Sequence, residues 1–165
     1  MKTLIQDLEN KLEGSKRIGI LGVGSRLRRD DAAGMLVVEK LTKLEELDTE
    51  PVFKIFFGET APENLTGQIK KFKPTHLVIV DSVEAHKKPG SIILVDPDNT
   101  GGITFSTHSL PPKVMADYLV SSLKCKIIIL GIQPKDLKFG EEVSPQVEDA
   151  VQRVVSAIKS LAKIK

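Results

Sequence analysis

Tryptophan is absent from this chain of 165 residues, aromatics of all kinds amount to 4%, and cysteine occurs once. Each scarcity excludes something. Few aromatics leave few platforms on which bases stack, and 24 Lys+Arg against 22 Asp+Glu leave a net charge of only +2. That balance gives no electrostatic footprint for nucleic acid or for an anionic membrane. Cys125 alone cannot close an internal disulfide, and a cysteine-only zinc site within one chain is excluded. No apolar run approaches the ~20 residues that cross a bilayer. The segment Met1 to Glu9 carries carboxylates where a signal peptide needs its apolar stretch. The expectation is a cytoplasmic protein with no nucleic-acid partner and no membrane insertion.

What is present is enough for a core. With 41% hydrophobic and 28% charged residues the composition is that of a folded chain. A chain of this length buries roughly 70% of its unfolded surface. No internal repeat or linker divides it, so one domain over 1–165 is expected.

Five short runs read as strands: Arg17 to Val23, Val52 to Phe57, His76 to Val80, Ser91 to Val95 and Lys126 to Ile132. Most are continuously apolar, the pattern of strands covered on both faces, as in a parallel sheet. Helices are predicted between them. Leu4, Leu8 and Leu12 mark one near the start, and Val37, Val38, Leu41 and Leu44 mark one over Ala33 to Leu47. Thr60-Ala61-Pro62-Glu63 has the form of a capping box opening a helix with Leu65, Ile69 and Phe72 on one face. Pro111-Pro112 introduces another helix with Val114, Met115, Tyr118 and Leu119 inward. Ser144-Pro145 starts the last, with Val147, Val151, Val154, Ile158 and Leu161 as its buried stripe. Between Val80 and Ser91 there is no helical pattern and too little chain for a right-handed crossover, so the fourth strand should run antiparallel at a sheet edge. The predicted fold is a three-layer α/β/α sandwich around a five-stranded, mostly parallel sheet with one antiparallel strand. Such sheets bind ligands at the carboxyl ends of their strands.

Gly22-Val23-Gly24 follows the first strand, but the third glycine of a dinucleotide fingerprint would fall on Leu27, and there is no Gly-Lys-Ser/Thr phosphate loop. The glycines instead lead through a tight turn into Arg26, Arg28, Arg29, Asp30 and Asp31. The two aspartates precede a helix, where the macrodipole favours carboxylates, which by itself accounts for one of them. Asp81 closes a buried strand, the place of a functional carboxylate or of a turn-making one. His108 lies in the polar stretch 106–109. If the connections after strands one and three and the segment before the last strand open on one edge, Asp31, Asp81 and His108 converge. Two carboxylates and an imidazole suit a borderline divalent transition metal with coordination positions left open. Cys125 begins an apolar strand and reads as core. His76 and His86 read as bystanders, and Glu59 as a solvated loop carboxylate or an acid supporting the site. The arginines before Asp30 fit a solvated loop as well as they fit steering of a partner.

Taken in order, Gly22-Val23-Gly24-Ser25, Asp30-Asp31-Ala32-Ala33-Gly34, residues 58–64 (GETAPEN), Val78-Ile79-Val80-Asp81, Pro89-Gly90, Thr107-His108, Gly131-Ile132-Gln133-Pro134 and Ser144-Pro145 carry a family pattern. The chain resembles the hydrogenase maturation endopeptidases from about Ile18 to Val151, most closely the branch serving hydrogenase 3. Ser25 stands where that family usually has Asn. The resemblance implies an aspartic-type endopeptidase that trims the C-terminal extension of the [NiFe]-hydrogenase large-subunit precursor after nickel insertion. It implies that Asp31, Asp81 and His108 recognise nickel carried by the precursor, with Asp31 and Asp81 also catalytic. All three lie in one chain, so a monomer suffices. The sequence leaves open an alternative of another class, a nickel-dependent checkpoint or chaperone that holds the precursor without cutting it.

Overall fold

The computed structural model describes residues 2–95, 101–105, 117 and 121–165. Helix α1 (Lys2–Lys11) leads into strand β1 (Arg17–Val23), and a 3-10 turn (Arg29–Ala32) joins it to α2 (Ala33–Leu41). Next come β2 (Thr49–Glu50), β3 (Val52–Glu59), α3 (Thr66–Phe72), β4 (His76–Glu84), β5 (Ile92–Val95) and β6 (Thr104–Phe105). Strand β7 (Lys126–Ile132), helix α4 (Pro145–Ser160) and β8 (Lys163–Ile164) complete the order among the described residues.

The sheet runs β3-β1-β4-β7-β5. β1 is parallel to both β3 and β4, and β4 to β7, whereas β5 lies antiparallel on β7 at the edge. That edge strand is antiparallel because the chain from β4 to β5 is too short to cross a face of the sheet. The central strands β1 and β4 are buried almost throughout. β3 alternates buried and exposed positions, since its outer side meets solvent.

Apolar side chains fill both faces. On one, Ile18, Ile20, Val78, Val80 and Leu130 pack beneath α1, α2 and α4. On the other, Leu21, Leu77, Ile79 and Ile129 pack with Ile69 of α3, and Leu65 and Phe72 lean on the same cluster. The expected three layers are therefore present. The stripe of α4 is inward as predicted, with Val147, Val151, Val154 and Ile158 buried.

Four local expectations are corrected. The helix over Ala33 to Leu47 stops being α-helical at Leu41 and continues as a 3-10 turn, Thr42–Glu46. The Thr60 capping box does not form: Ala61 occupies the cap position, no side chain caps the turn, and a 3-10 turn (Pro62–Leu65) precedes α3. The third predicted strand does not end at Val80. β4 continues to Glu84 because its far end pairs with β6, Val83 against Phe105 and Glu84 against Thr104. Asp81 thus lies within a strand rather than closing one. β6 adds a sixth strand to the sheet, and β2 pairs with β8 as a separate ribbon. The helix predicted after Pro111-Pro112 lies outside the described residues.

Candidate active site

Parallel alignment of β1, β4 and β7 puts their carboxyl ends on one edge. Gly22 of β1 is opposite Val80 of β4, and Asp81 is opposite Gly131 of β7. Asp81 is therefore one residue beyond the register of β1, where the chain turns toward Asp31. Two glycines bring the turn down onto the sheet. A Cβ on Gly34 would stand 2.2 Å from the Val80 carbonyl oxygen and 2.3 Å from that of Val23, so the start of α2 sits flush on both strands. A Cβ on Gly24 (φ +148°) would stand 1.9 Å from the Asp31 carbonyl oxygen. Only residues without side chains allow this approach. Asp31 and Asp81 are thereby gathered at the same edge, on adjoining elements.

Both carboxylates are buried. Asp31 is wholly inaccessible, and its Oδ2 accepts the Ser25 backbone N–H at 3.0 Å, with the Arg28 guanidinium 3.8 Å away. Ser25 also accepts the Leu27 N–H at its hydroxyl, 3.2 Å. The serine therefore serves the turn with both its N–H and its hydroxyl. Asp81 is 1% exposed, and its Oδ1 accepts the N–H of Ser82 at 2.7 Å. Among the described residues no group of three or more His, Cys, Asp or Glu side chains is arranged to hold a metal ion. His108, the third residue of the expected set, lies outside the described residues.

The adjacent aspartates have different partners. Asp30 is as buried as Asp31, yet its partners are elsewhere in the chain. Oδ2 accepts the N–H of Lys135 (2.8 Å), the N–H of Asp136 (3.0 Å) and the Ser144 hydroxyl (2.9 Å), while Oδ1 accepts the Ser144 N–H (2.7 Å). Asp30 thus ties the turn before α2 to the segment after β7 and to the cap of α4. Adjacency to a helix start gave no hint of this, because the donors lie more than a hundred residues away.

Gln133 belongs to the Gly131-Ile132-Gln133-Pro134 motif. Its buried amide accepts the N–H groups of Ala85 (2.9 Å) and Lys87 (3.2 Å) and donates to Glu84 Oε2 (2.7 Å), so it shapes the loop after β4. The arginines are engaged within the chain: Arg26 with Glu39, Arg28 with Asp31, and Arg29 with Asp136 (3.7 Å) and Glu142 (3.8 Å). Glu59 is exposed at the end of β3 with φ +49°, and its carbonyl accepts the Gly24 N–H at 2.8 Å. His86 is exposed beside Glu84. His76 is buried at the opposite end of β4, and burial together with nearby Lys126 pulls its pKa below 6.5. Cys125 is buried as expected, and burial pushes its thiol up to about 11.

Fold and edge together define a class: an α/β/α protein whose acidic groups stand at the carboxyl ends of parallel strands, where such sheets place their chemistry. The family model for hydrogenase maturation proteases matches residues 35–161. The hydrogenase 3 maturation protease of Escherichia coli K12 is 31% identical over 141 residues, covering 85% of this chain and 87% of that one. The crystal structure of a [NiFe] hydrogenase maturation protease from Thermococcus kodakarensis KOD1 aligns with a TM-score of 0.80 at 34% identity, over 94% of this chain and 97% of its own. A crystal structure of a hydrogenase 3 maturation protease aligns at 0.72 and 31%, over 85% and 87%. The chain belongs to the hydrogenase maturation protease family, a family of hydrolases. Among its described residues no helix is long and apolar enough to cross a membrane.

Proposed function

We propose that this protein is an endopeptidase that removes the C-terminal extension of a [NiFe]-hydrogenase large-subunit precursor once nickel is in place. The observation that carries the reading is the gathering of Asp31 and Asp81 at one edge of the sheet by the close packing of Gly24 and Gly34. Asp31, Asp81 and His108 recognise nickel as part of the substrate, so the metal arrives with the precursor. A carboxylate pair with an imidazole fits the donor preferences of such a cation. In the cleavage step a water oxygen adds to the scissile carbonyl carbon, the C–N bond breaks, and the leaving amine takes a proton. Asp31 or Asp81 orients that water as an aspartic-type group, without a covalent intermediate. One chain carries all three residues in a single domain over 1–165, so the site needs no second copy, and the reading is of a monomeric, cytoplasmic enzyme.

The test is the intact mass of a nickel-loaded precursor before and after incubation with the protein, with nickel-free precursor alongside. Loss of one C-terminal peptide from the loaded form alone is the expected result. Equal cleavage of both forms removes the nickel requirement. Stable binding with no mass change replaces the peptidase by the non-cleaving checkpoint.

A further inference from the structure

Asp81 stands near the point where β4 changes partners. Pairing with β1 ends at Val80, and pairing with β7 ends at Ser82, opposite Ile132. Beyond that, Val83 and Glu84 pair with the two residues of β6. Strand ends with so little pairing fray, and fraying here would begin next to a carboxylate of the proposed reaction.

One side chain spans this junction. Gln133 follows β7 directly and is 3% exposed. Its Oε1 accepts the N–H groups of Ala85 and Lys87, while its Nε2 donates to Glu84 Oε2 and, at 3.3 Å, to the Pro134 carbonyl. Its main chain holds the far end of the same loop. The Gln133 N–H donates to the Ser91 carbonyl at 2.9 Å, and its carbonyl accepts the Gly90 N–H at 2.8 Å. The loop from Glu84 to Ser91 is thus fastened at both ends to one residue. A further contact joins this end of β4 to the register of Asp81. A Cβ on Gly131, the residue opposite Asp81, would stand 2.1 Å from Val83 Cγ2, so Val83 lies closed over that position.

We propose that Gln133 is a positioning residue for Asp81. By clamping Glu84, Ala85 and Lys87 it keeps β4 extended past Ser82, and so fixes the Asp81 carboxylate, whose Oδ1 accepts the Ser82 N–H. The inference rests on the proteolytic reading of this edge. Gln133 acts through the strand, not on the substrate. A shift of about 1 Å in a reacting group costs on the order of 10²-fold in rate.

The experiment compares wild type with Gln133→Met, Gln133→Glu and the exchange Gln133→Glu with Glu84→Gln. Methionine keeps the length and loses every hydrogen bond of the amide. Glutamate alone sets a carboxylate against Glu84. In the exchange, the carboxylate at 133 again accepts from Ala85 and Lys87, and the amide at 84 donates to it. Two quantities are read: kcat and KM for nickel-loaded precursor at a temperature where each variant is folded, and the Ser82 amide resonance of the free protein. Each single variant should lower kcat roughly ten- to hundredfold with KM nearly unchanged and should shift the Ser82 amide, and the exchange should restore most of both. Wild-type kcat in folded Gln133→Met overturns the proposal, as does a loss confined to KM or an exchange that restores neither quantity. Should Gln133→Met not fold, Gln133→Glu and the exchange decide by the same criteria. If wild type does not cleave, the proteolytic reading falls separately. The Ser82 amide then decides the clamp: a shift in Gln133→Glu reversed by the exchange supports it, and an unmoved resonance overturns it.

Discussion

Ser144 and Asp30, 114 residues apart in the chain, are joined by two hydrogen bonds, from the serine N–H to Oδ1 and from its hydroxyl to Oδ2. Ser144 is the N-cap of α4 but caps nothing with its side chain. Its hydroxyl is turned to the carboxylate that also anchors Lys135 and Asp136. The cap residue of one helix thereby fixes the entry to another.

Asp30→Ala removes the acceptor for four donors at a site with no solvent access. A loss of about 3–5 kcal/mol in stability is expected, as for other buried networks broken on one side. Ser144→Ala keeps the backbone donor and should cost about 1 kcal/mol. Urea unfolding measures both. A cost under 1 kcal/mol for Asp30→Ala would show that the carboxylate is not a structural anchor.

Gly34→Ala pushes a methyl group into the Val23 and Val80 carbonyls. Relief requires α2 to rise from the sheet, which costs about 1–3 kcal/mol or more and moves Asp31 relative to Asp81. Cleavage should fall at temperatures where the variant is still fully folded. Wild-type turnover in a folded Gly34→Ala protein would mean that the close approach does not set the carboxylate geometry.

Asp31→Asn and Asp81→Asn keep shape and an acceptor oxygen but remove charge. Each should lower cleavage of the nickel-loaded precursor by about 10²-fold or more, the range for a lost catalytic acid or base. Circular dichroism would verify the fold. If both variants process precursor at the wild-type rate, the catalytic assignment is wrong.

His76 resists protonation in the fold, first because it is buried and then because Lys126 lies beside it. Its unfolded counterpart takes a proton near pH 6.5. The stability this contributes is complete above about that pH and is lost as pH falls toward the lowered folded value. The slope is at most about 1.4 kcal/mol per pH unit, the limit for one proton. Stability measured at pH 7.5 and pH 5.5 should therefore drop less in His76→Gln than in wild type. Identical drops would count against the buried neutral imidazole.

Cys125, with its thiol raised to about 11, is almost entirely protonated at pH 8. Native protein should resist iodoacetamide over hours and react promptly once unfolded. Rapid stoichiometric labelling of the folded chain would contradict its burial.

Much of the architecture was readable along the chain. β1 and β7 begin and end where their apolar runs do, because strands buried on both faces leave no polar position inside. The antiparallel edge strand followed from the length of one connection. Local signals failed where a distant partner decided. β4 runs past Val80 because Asp81 and Ser82 stay paired with β7, and on to Glu84 because β6 pairs with its last two residues, while the pattern at Thr60 lost to a 3-10 turn led by Pro62.

The same division holds at the site. By itself the sequence determined the main sheet strands, their layers, and one carboxylate placed after the first of them, since hydrophobic period and connection length are local properties. Only the tertiary structure decided which groups each aspartate of the pair meets. Asp30 and Asp31 are chemically identical neighbours, and the difference between anchor and candidate catalyst lies in the donors that folding brings to each. Those of Asp30 come from residues 135, 136 and 144, while Asp31 meets Ser25 and Arg28 of its own turn. A hydrogen bond depends on distance and angle in space, and contacts spanning a hundred residues leave no period in the sequence to read.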